Sequence, residues 1–283
     1  MLDGLRGADP DSGRGDDAAS RPRRPSSRQR AKQLAAVRAR IERAAARAGR
    51  RAADVTLVGV AKRQPPERIL ATIAAGVHVL GGSYVQEMRR VRPAIESAMA
   101  LDPVLGGTPL TWRLVGRLQR NKVGLALRLF DTVGSVDRPE LVDALARRAA
   151  ETGRRLEVLL QVSLCGEPQK GGCEPEELEP LVRRVLAAES LQLGGLMTVP
   201  AASDDPEAAR PVFRRLRSLR DGLAAIRPEL ARASLSMGMS GDLEVAVEEG
   251  ATLVRIGTAL FGERADTGSA GDAREDGTKE TDA

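Results

Sequence analysis

The sequence is poor in the residues on which several common kinds of binding site depend. Aromatic residues make up 2% of its 283 residues, His78 is its one histidine, and its only cysteines are Cys165 and Cys173. Single-stranded nucleic acids are commonly bound by stacking on aromatic side chains, zinc sites need cysteine and histidine clusters, and disulfide frameworks need several cysteine pairs. We therefore expect no metal site, no disulfide framework and no nucleic-acid partner.

Long hydrophobic runs are also missing. No apolar stretch approaches the roughly 18–20 residues of a membrane span, and no apolar signal segment opens the chain. We therefore expect a cytoplasmic protein without a membrane partner. The formal charge is +5, but the arginines are spread over the N-terminal segment and polar helix faces. A solvated basic surface is the favoured interpretation, and an RNA- or protein-binding surface formed by the arginines of 113–122 and of the N-terminal tail is the alternative.

Hydrophobic patterning divides the chain into one domain and two tails. Residues 1–27 and 264–283 have few apolar residues, so both are predicted to be disordered, and 28–263 is predicted to form one domain. A helix pattern over 27–49 comes first, and short β-branched runs alternating with amphipathic helix patterns follow. The predicted strands are 55–61, 77–80, 111–115, 129–134, 156–162, 193–198, 233–237 and 252–256.

Alternation of strands and helices implies parallel pairing, because each crossover needs a helix. Eight such units predict a single (β/α)8 TIM-type barrel with an extra N-terminal helix and no C-terminal β-domain. An open doubly wound sheet is the alternative; it is disfavoured because no G-x-G-x-x-G follows the first strand. Binding sites of such barrels lie at the C-terminal ends of the strands, which directs attention to the residues that end each predicted strand.

Lys62 is a candidate for covalent attachment of a ligand. It ends the first predicted strand after the apolar residues 58–61, so its stem should rise from the packed barrel. Partial removal from water favours the neutral amine, which can form a Schiff base with an aldehyde. The alternative is a lysine that extends from the strand end into solvent.

Two further strand ends have features of an anion site. Segment 236–240 combines glycine and hydroxyl groups before a predicted helix, which favours a bound anion, although Ser240 could also be an ordinary helix cap. After the eighth strand, the N–H groups of Gly257 and Thr258 could cradle a phosphate, which barrels of this kind often bind there.

Arg255, just before this cradle, is a permanent cation. It could donate to a ring nitrogen or pair with a carboxylate, and Glu244 and Glu248 are the alternative partners. An amine, a phosphate cradle and a donor to a ring together suggest one cofactor, pyridoxal 5′-phosphate (PLP).

Six segments of the chain resemble the pyridoxal phosphate homeostasis proteins (the YggS/PROSC family), whose barrels are similar to that of alanine racemase. These segments are 58–62, 84–87, 112–122, 195–200, 235–240 and 254–262. The resemblance implies that Lys62 is the Schiff-base lysine, that Ser240, Gly257 and Thr258 hold the phosphate, and that Arg255 faces the pyridine nitrogen. The predicted cofactor-binding residues are therefore Lys62, Ser83, Met237, Ser240, Arg255, Gly257 and Thr258.

The chain departs from the family pattern at a few positions. Ser83 stands where the family has an asparagine beside the cofactor ring, and Arg113 and Arg117 replace two histidines. Contacts to the ring are therefore expected to differ at these positions.

The resemblance favours a PLP carrier or buffer over an enzyme. It implies a role in the intracellular homeostasis of PLP, effects on amino-acid and keto-acid pools, and PLP-dependent apo-enzymes as possible partners. An amino-acid racemase is the alternative. Racemisation needs a second base facing the lysine across the ring, and in alanine racemases that base is a tyrosine of an added β-domain. No such domain follows the barrel pattern, Tyr84 begins a helix, and His78 is predicted within a strand. Cys165 is the remaining candidate. A monomer without catalytic residues is therefore expected.

Overall fold

Eight parallel β-strands closed into a barrel form the centre of the molecule. The computed structural model describes residues 27–262, and its strands pair with their neighbours in sequence order, β8 closing on β1. The strands are β1 (Thr56–Val60), β2 (Val79–Gly82), β3 (Thr111–Leu114), β4 (Thr132–Val136), β5 (Leu156–Gln161), β6 (Leu191–Met197), β7 (Ser234–Ser236) and β8 (Leu253–Ile256). The predicted (β/α)8 barrel is confirmed, and no separate β-domain occurs within 27–262.

Helices surround this barrel. They are α1 (Ser27–Arg47), α2 (Pro66–Ala74), α3 (Val85–Ala100), α4 (Val123–Leu129), α5 (Pro139–Glu151), α6 (Leu178–Ala187), α7 (Arg210–Gly222), α8 (Leu243–Glu248) and α9 (Thr258–Phe261). None of those described is long and apolar enough to cross a membrane. The predicted disordered tails, 1–27 and 264–283, lie outside the described residues, apart from Ser27, which begins α1.

Helix α1 takes the place of the outer helix that normally follows the eighth strand. Within residues 27–262, only the single turn of α9 follows β8, and α1 covers this gap by packing against α8, α9 and α2. Apolar residues recur at helical spacing on the inward face of α1. The buried ones include Leu34, Val37, Ile41 and Ala44. The helix predicted as an addition to the barrel therefore completes its outer layer.

The predicted boundaries of three strands were wrong by two residues or more. β6 begins at Leu191, two residues earlier than predicted. β2 begins two residues later than predicted and includes Gly81 and Gly82, so His78 precedes the strand. Glycine has a low strand propensity, so the sequence did not predict these two residues as part of the strand. A Cβ on Gly82 would lie 2.6 Å from Cγ of Met88, so packing requires glycine there. β4 begins at Thr132 rather than 129, because Leu129 and Phe130, at the end of α4, are apolar and look like the start of a strand.

Candidate functional site

A cavity of about 490 Å³ opens at the C-terminal ends of the strands, the end predicted to carry the site. This volume lies within the range typical of small-molecule pockets. Its lining residues are Val60, Lys62, Gln64, Ser83, Val115, Val199, Met239, Ser240, Gly241, Arg255, Gly257, Thr258 and Gly262. Six of the seven predicted cofactor-binding residues are among them. Closure of the barrel brings these residues together from the ends of β1, β2, β7 and β8.

Met237 is the exception. Its side chain is fully buried in the hydrophobic core, and its N–H donates to the carbonyl of Leu253 at 3.1 Å. Met239, which is 37% exposed, lines the cavity instead. The intervening Gly238 has a φ of 93°, a left-handed conformation that turns the chain between the two methionines. The sequence could not separate them, because both belong to one segment rich in glycine and serine.

Lys62 lies in the turn that follows β1, half-buried at the cavity wall. Its Nζ is 5.1 Å from the centroid of the Tyr84 ring, a cation–π distance. The next residue, Arg63, has a φ of 55°, and its N–H donates to Glu87 Oε1 at 2.6 Å. Left-handed backbone is uncommon outside glycine, so this bond from the first turn of α3 stabilises the turn that presents Lys62.

The sequence did not predict these contacts of Tyr84 and Glu87 with the Lys62 turn. Tyr84 is the N-cap residue of α3 and Glu87 lies in its first turn, so both belong to the start of that helix. The local sequence, however, does not reveal which strand end the start of α3 meets. Only the parallel pairing of β1 with β2 brings the start of α3 beside Lys62.

The segments that follow β7 and β8 meet at one side of the cavity. Ser240 Oγ accepts a hydrogen bond from the N–H of Ala259 in α9 at 3.3 Å. A Cβ on Gly241 would have no neighbour within 4 Å, and one on Gly257 would meet only the carbonyl oxygen of Val60, at 3.8 Å. Backbone and hydroxyl groups therefore border open space here, and this space can receive a phosphate.

Arg255 forms part of the cavity wall and is almost completely buried. Its Nη1 donates to Ser236 Oγ and its Nη2 to the carbonyl of Thr198, both at 2.9 Å. Burial lowers the pKa of Arg255 to about 10, and the nearby carboxylate of Asp242 opposes this shift. The guanidinium therefore stays charged at neutral pH.

The alternative partners considered for Arg255 are engaged elsewhere. Glu244 pairs with Arg40 at 2.6 Å, and Glu248 pairs with Arg47 and Arg210, both at 2.7 Å. The interpretation of Arg255 as one half of an ion pair with either glutamate is therefore wrong.

The positions that depart from the family pattern have separate environments. Ser83 lines the cavity, and its backbone packs so closely on Gly116 that a Cβ there would lie 2.1 Å from the Ser83 carbonyl oxygen. Arg113 pairs with Glu157 of β5 at 3.1 Å, and Arg117 is exposed. Neither arginine is among the lining residues, so of the three departures only Ser83 borders the cavity.

The residues present fit PLP. The cavity offers an amine for an aldehyde, hydroxyl and backbone groups for a phosphate, and a buried cation beside the space between them. Within 27–262, no group of three or more histidine, cysteine or acidic residues is placed to hold a metal ion. Cys173 is buried, which raises the pKa of its thiol to about 12, and Cys165 is half-buried with Sγ 3.5 Å from the carbonyl of Val199.

Comparison with known proteins gives consistent matches over most of the chain. The family model described as the N-terminal domain of alanine racemase matches residues 33–265. The pyridoxal phosphate homeostasis protein of Aquifex aeolicus is 42% identical over 231 residues, which cover 82% of this chain and 96% of that protein. The corresponding protein of Pseudomonas aeruginosa is 40% identical over 234 residues, 83% of this chain and 95% of its own. PipY of Synechococcus elongatus, solved with PLP bound, has a TM-score of 0.69 at 33% identity, covering 82% of this chain and 100% of PipY.

Proposed function

Because this chain belongs to the alanine racemase N-terminal domain family, and within it to the pyridoxal phosphate homeostasis proteins, we propose that it binds PLP as a Schiff base on Lys62 and buffers or delivers it. The observation that carries this proposal is the barrel-mouth cavity, which joins the amine of Lys62 to the segments of Ser240 and Thr258. The names of the relatives and the PLP bound in PipY support it.

Four residues of the cavity have an assigned part in this proposal. The amine of Lys62 attaches the aldehyde. The hydroxyls of Ser240 and Thr258 and the neighbouring N–H groups donate to the phosphate oxygens. Arg255 donates to the pyridine nitrogen, and a permanent cation there keeps that nitrogen unprotonated. When bound, PLP supplies an electron sink for carbanion chemistry. The arginine weakens that sink, which favours binding over catalysis.

A racemase is the second candidate, and the surroundings of Lys62 disfavour it. Racemisation requires a second base that faces the lysine across the ring. Tyr84 lies beside the Lys62 amine, on the lysine's own side, and His78 precedes β2, at the opposite end of the barrel. Cys165, beside Val199 at the cavity wall, is the remaining candidate base.

An absorption spectrum tests the attachment. The purified protein incubated with PLP is expected to show a visible band. Borohydride reduction followed by peptide mapping should place the label on Lys62, and Lys62→Ala should lose the band. Lys32→Ala, on an exposed face of α1, is the matched control and should keep it. A protein that remains colourless, or a label on another lysine, contradicts the proposal.

Two further measurements separate carrier from racemase. A carrier is expected to reconstitute a PLP-dependent apo-enzyme and to leave the α-hydrogens of amino acids unexchanged in deuterated water. Exchange at enzymatic rates that disappears in Cys165→Ser supports the racemase instead. A third comparison separates buffering from direct delivery. If the loaded protein reactivates the apo-enzyme no faster than free PLP does, and only as fast as PLP is released into solution, buffering is favoured.

A further inference from the structure

Helix α1 holds, from outside the barrel, both segments that form the phosphate side of the cavity. One arginine near its middle reaches the segment after β7, and another near its start reaches α9. Neither arginine lines the cavity. Any effect on the ligand must therefore pass through the segments that these arginines contact.

Arg40 makes the first of these contacts. Its Nε and Nη2 donate to the two carboxylate oxygens of Glu244 at 2.6 and 2.7 Å, and Nη2 also donates to the carbonyl of Ser240 at 2.9 Å. Its side chain is 26% exposed. A forked arginine–carboxylate pair has a fixed geometry. The guanidinium thus fixes the Ser240 backbone relative to the start of α8, while the Ser240 hydroxyl stays at the cavity.

Arg30 makes the second contact. Its side chain is 2% exposed, and Nη1 donates to the carbonyl of Leu260 at 3.1 Å and to Gln33 Oε1 at 2.7 Å. Leu260 belongs to α9, the turn that begins with Thr258. The bond between Ser240 Oγ and the N–H of Ala259 then joins the two held segments to each other. The phosphate side of the cavity is therefore tied to α1 at two places.

We propose that Arg40 and Arg30 are positioning residues that preorganise the phosphate subsite, so that α1 determines how strongly the protein prefers a phosphorylated aldehyde to an unphosphorylated one. This inference rests on the proposed binding of PLP. Lys62 lies on the turn after β1, which neither arginine contacts among the bonds described. Loss of the Arg40 contact frees the Ser240 segment to move. Binding of the phosphate must then order this segment, which makes the binding free energy of a phosphorylated ligand less favourable, whereas binding of the aldehyde at Lys62 is unaffected.

Binding of PLP and of pyridoxal, which has the same aldehyde but no phosphate, tests this inference. Arg40→Leu is expected to raise the Kd for PLP about tenfold and that for pyridoxal by less than about twofold. Inorganic phosphate should compete with PLP for the wild type more strongly than for the variant. The control is Arg47→Leu, which removes another α1–α8 ion pair, Arg47 to Glu248, and has no described contact with Ser240. It should leave the ratio of the two dissociation constants unchanged.

The outcomes separate this inference from the proposed function. If the wild type binds neither aldehyde, the proposed function fails and this inference fails with it. If the wild type binds PLP and Arg40→Leu weakens both aldehydes equally, or Arg47→Leu shifts the ratio as much, the positioning role alone is overturned. Should Arg40→Leu fail to fold, Arg40→Gln keeps a polar side chain that cannot fork Glu244, and the same shift in the ratio is expected.

Discussion

Replacing Arg255 by methionine is expected to leave the stability of the ligand-free protein nearly unchanged and to weaken PLP binding. The arginine is buried at the cavity wall and donates to Ser236 and to Thr198. Methionine is unbranched and of similar reach, so it can occupy much of the same space without a charge. Two opposing contributions then decide the change in the free energy of unfolding.

The first contribution is the cost of burying the cation. The pKa of Arg255 is lowered to about 10, and one pKa unit corresponds to about 1.4 kcal/mol. Holding the charge therefore costs on the order of 3 kcal/mol, which methionine removes. The second contribution is the loss of two hydrogen bonds from a charged donor, about 1.5 kcal/mol each. The two nearly cancel, so the free energy of unfolding should change by less than about 2 kcal/mol.

Urea unfolding followed by circular dichroism measures the stability, and absorbance titration measures PLP binding. We expect the Kd for PLP to rise about tenfold or more, because the ring nitrogen loses its donor. Arg184→Met removes an exposed pair with Asp143 and should alter neither quantity. A decrease in the free energy of unfolding of more than about 4 kcal/mol would show that the two contributions do not cancel. Unchanged PLP affinity would refute the role of Arg255 at the ring.

Three further results are expected. Thr258→Val removes an exposed hydroxyl at the cavity, so the free energy of unfolding should change by less than about 0.5 kcal/mol. The Kd for PLP, measured by absorbance titration, should rise, and the Kd for pyridoxal should not. An equal effect on both ligands would contradict a phosphate contact. Iodoacetamide should alkylate Cys165 at least about a hundredfold faster than Cys173, because burial raises the pKa of the Cys173 thiol to about 12; mass spectrometry after timed labelling checks this, and similar rates in the native protein would show that Cys173 is accessible. The hydrogen bonds from Arg40 lower the pKa of Glu244, so the stability this pair contributes is complete above the ordinary glutamate pKa of about 4.3 and is lost as the pH falls through the lowered value. Unfolding measured against pH should therefore show a shallower acid loss in Glu244→Gln, and an identical slope would contradict the pairing.

Much of the fold could be predicted because parallel barrels leave a strong local signal. Buried β-branched runs alternate with amphipathic helices, and this alternation is set by which residues the core must cover. Boundaries were lost where local signals fail. Gly81 and Gly82 do not look like strand residues, and Leu129 and Phe130, at the end of α4, look like the start of a strand.

The candidate site divides in the same way. Lys62, Ser240, Arg255, Gly257 and Thr258 were expected together, because the C-terminal ends of parallel strands share one end of a barrel. The choice between neighbours of similar chemistry was not predictable. Met239 rather than Met237 reaches the cavity, because a left-handed glycine turns the chain between them.

The sequence by itself determined the barrel, the strand that leads to a lysine, and the two glycine-containing segments, since each follows from propensity and pattern over a few consecutive residues. Only the tertiary structure decided that α1 completes the outer layer and that Arg40 pairs with Glu244 and donates to the carbonyl of Ser240. These partners are about 200 residues apart in the chain, and a contact at that separation depends on the whole barrel closing, which no local pattern of residues records.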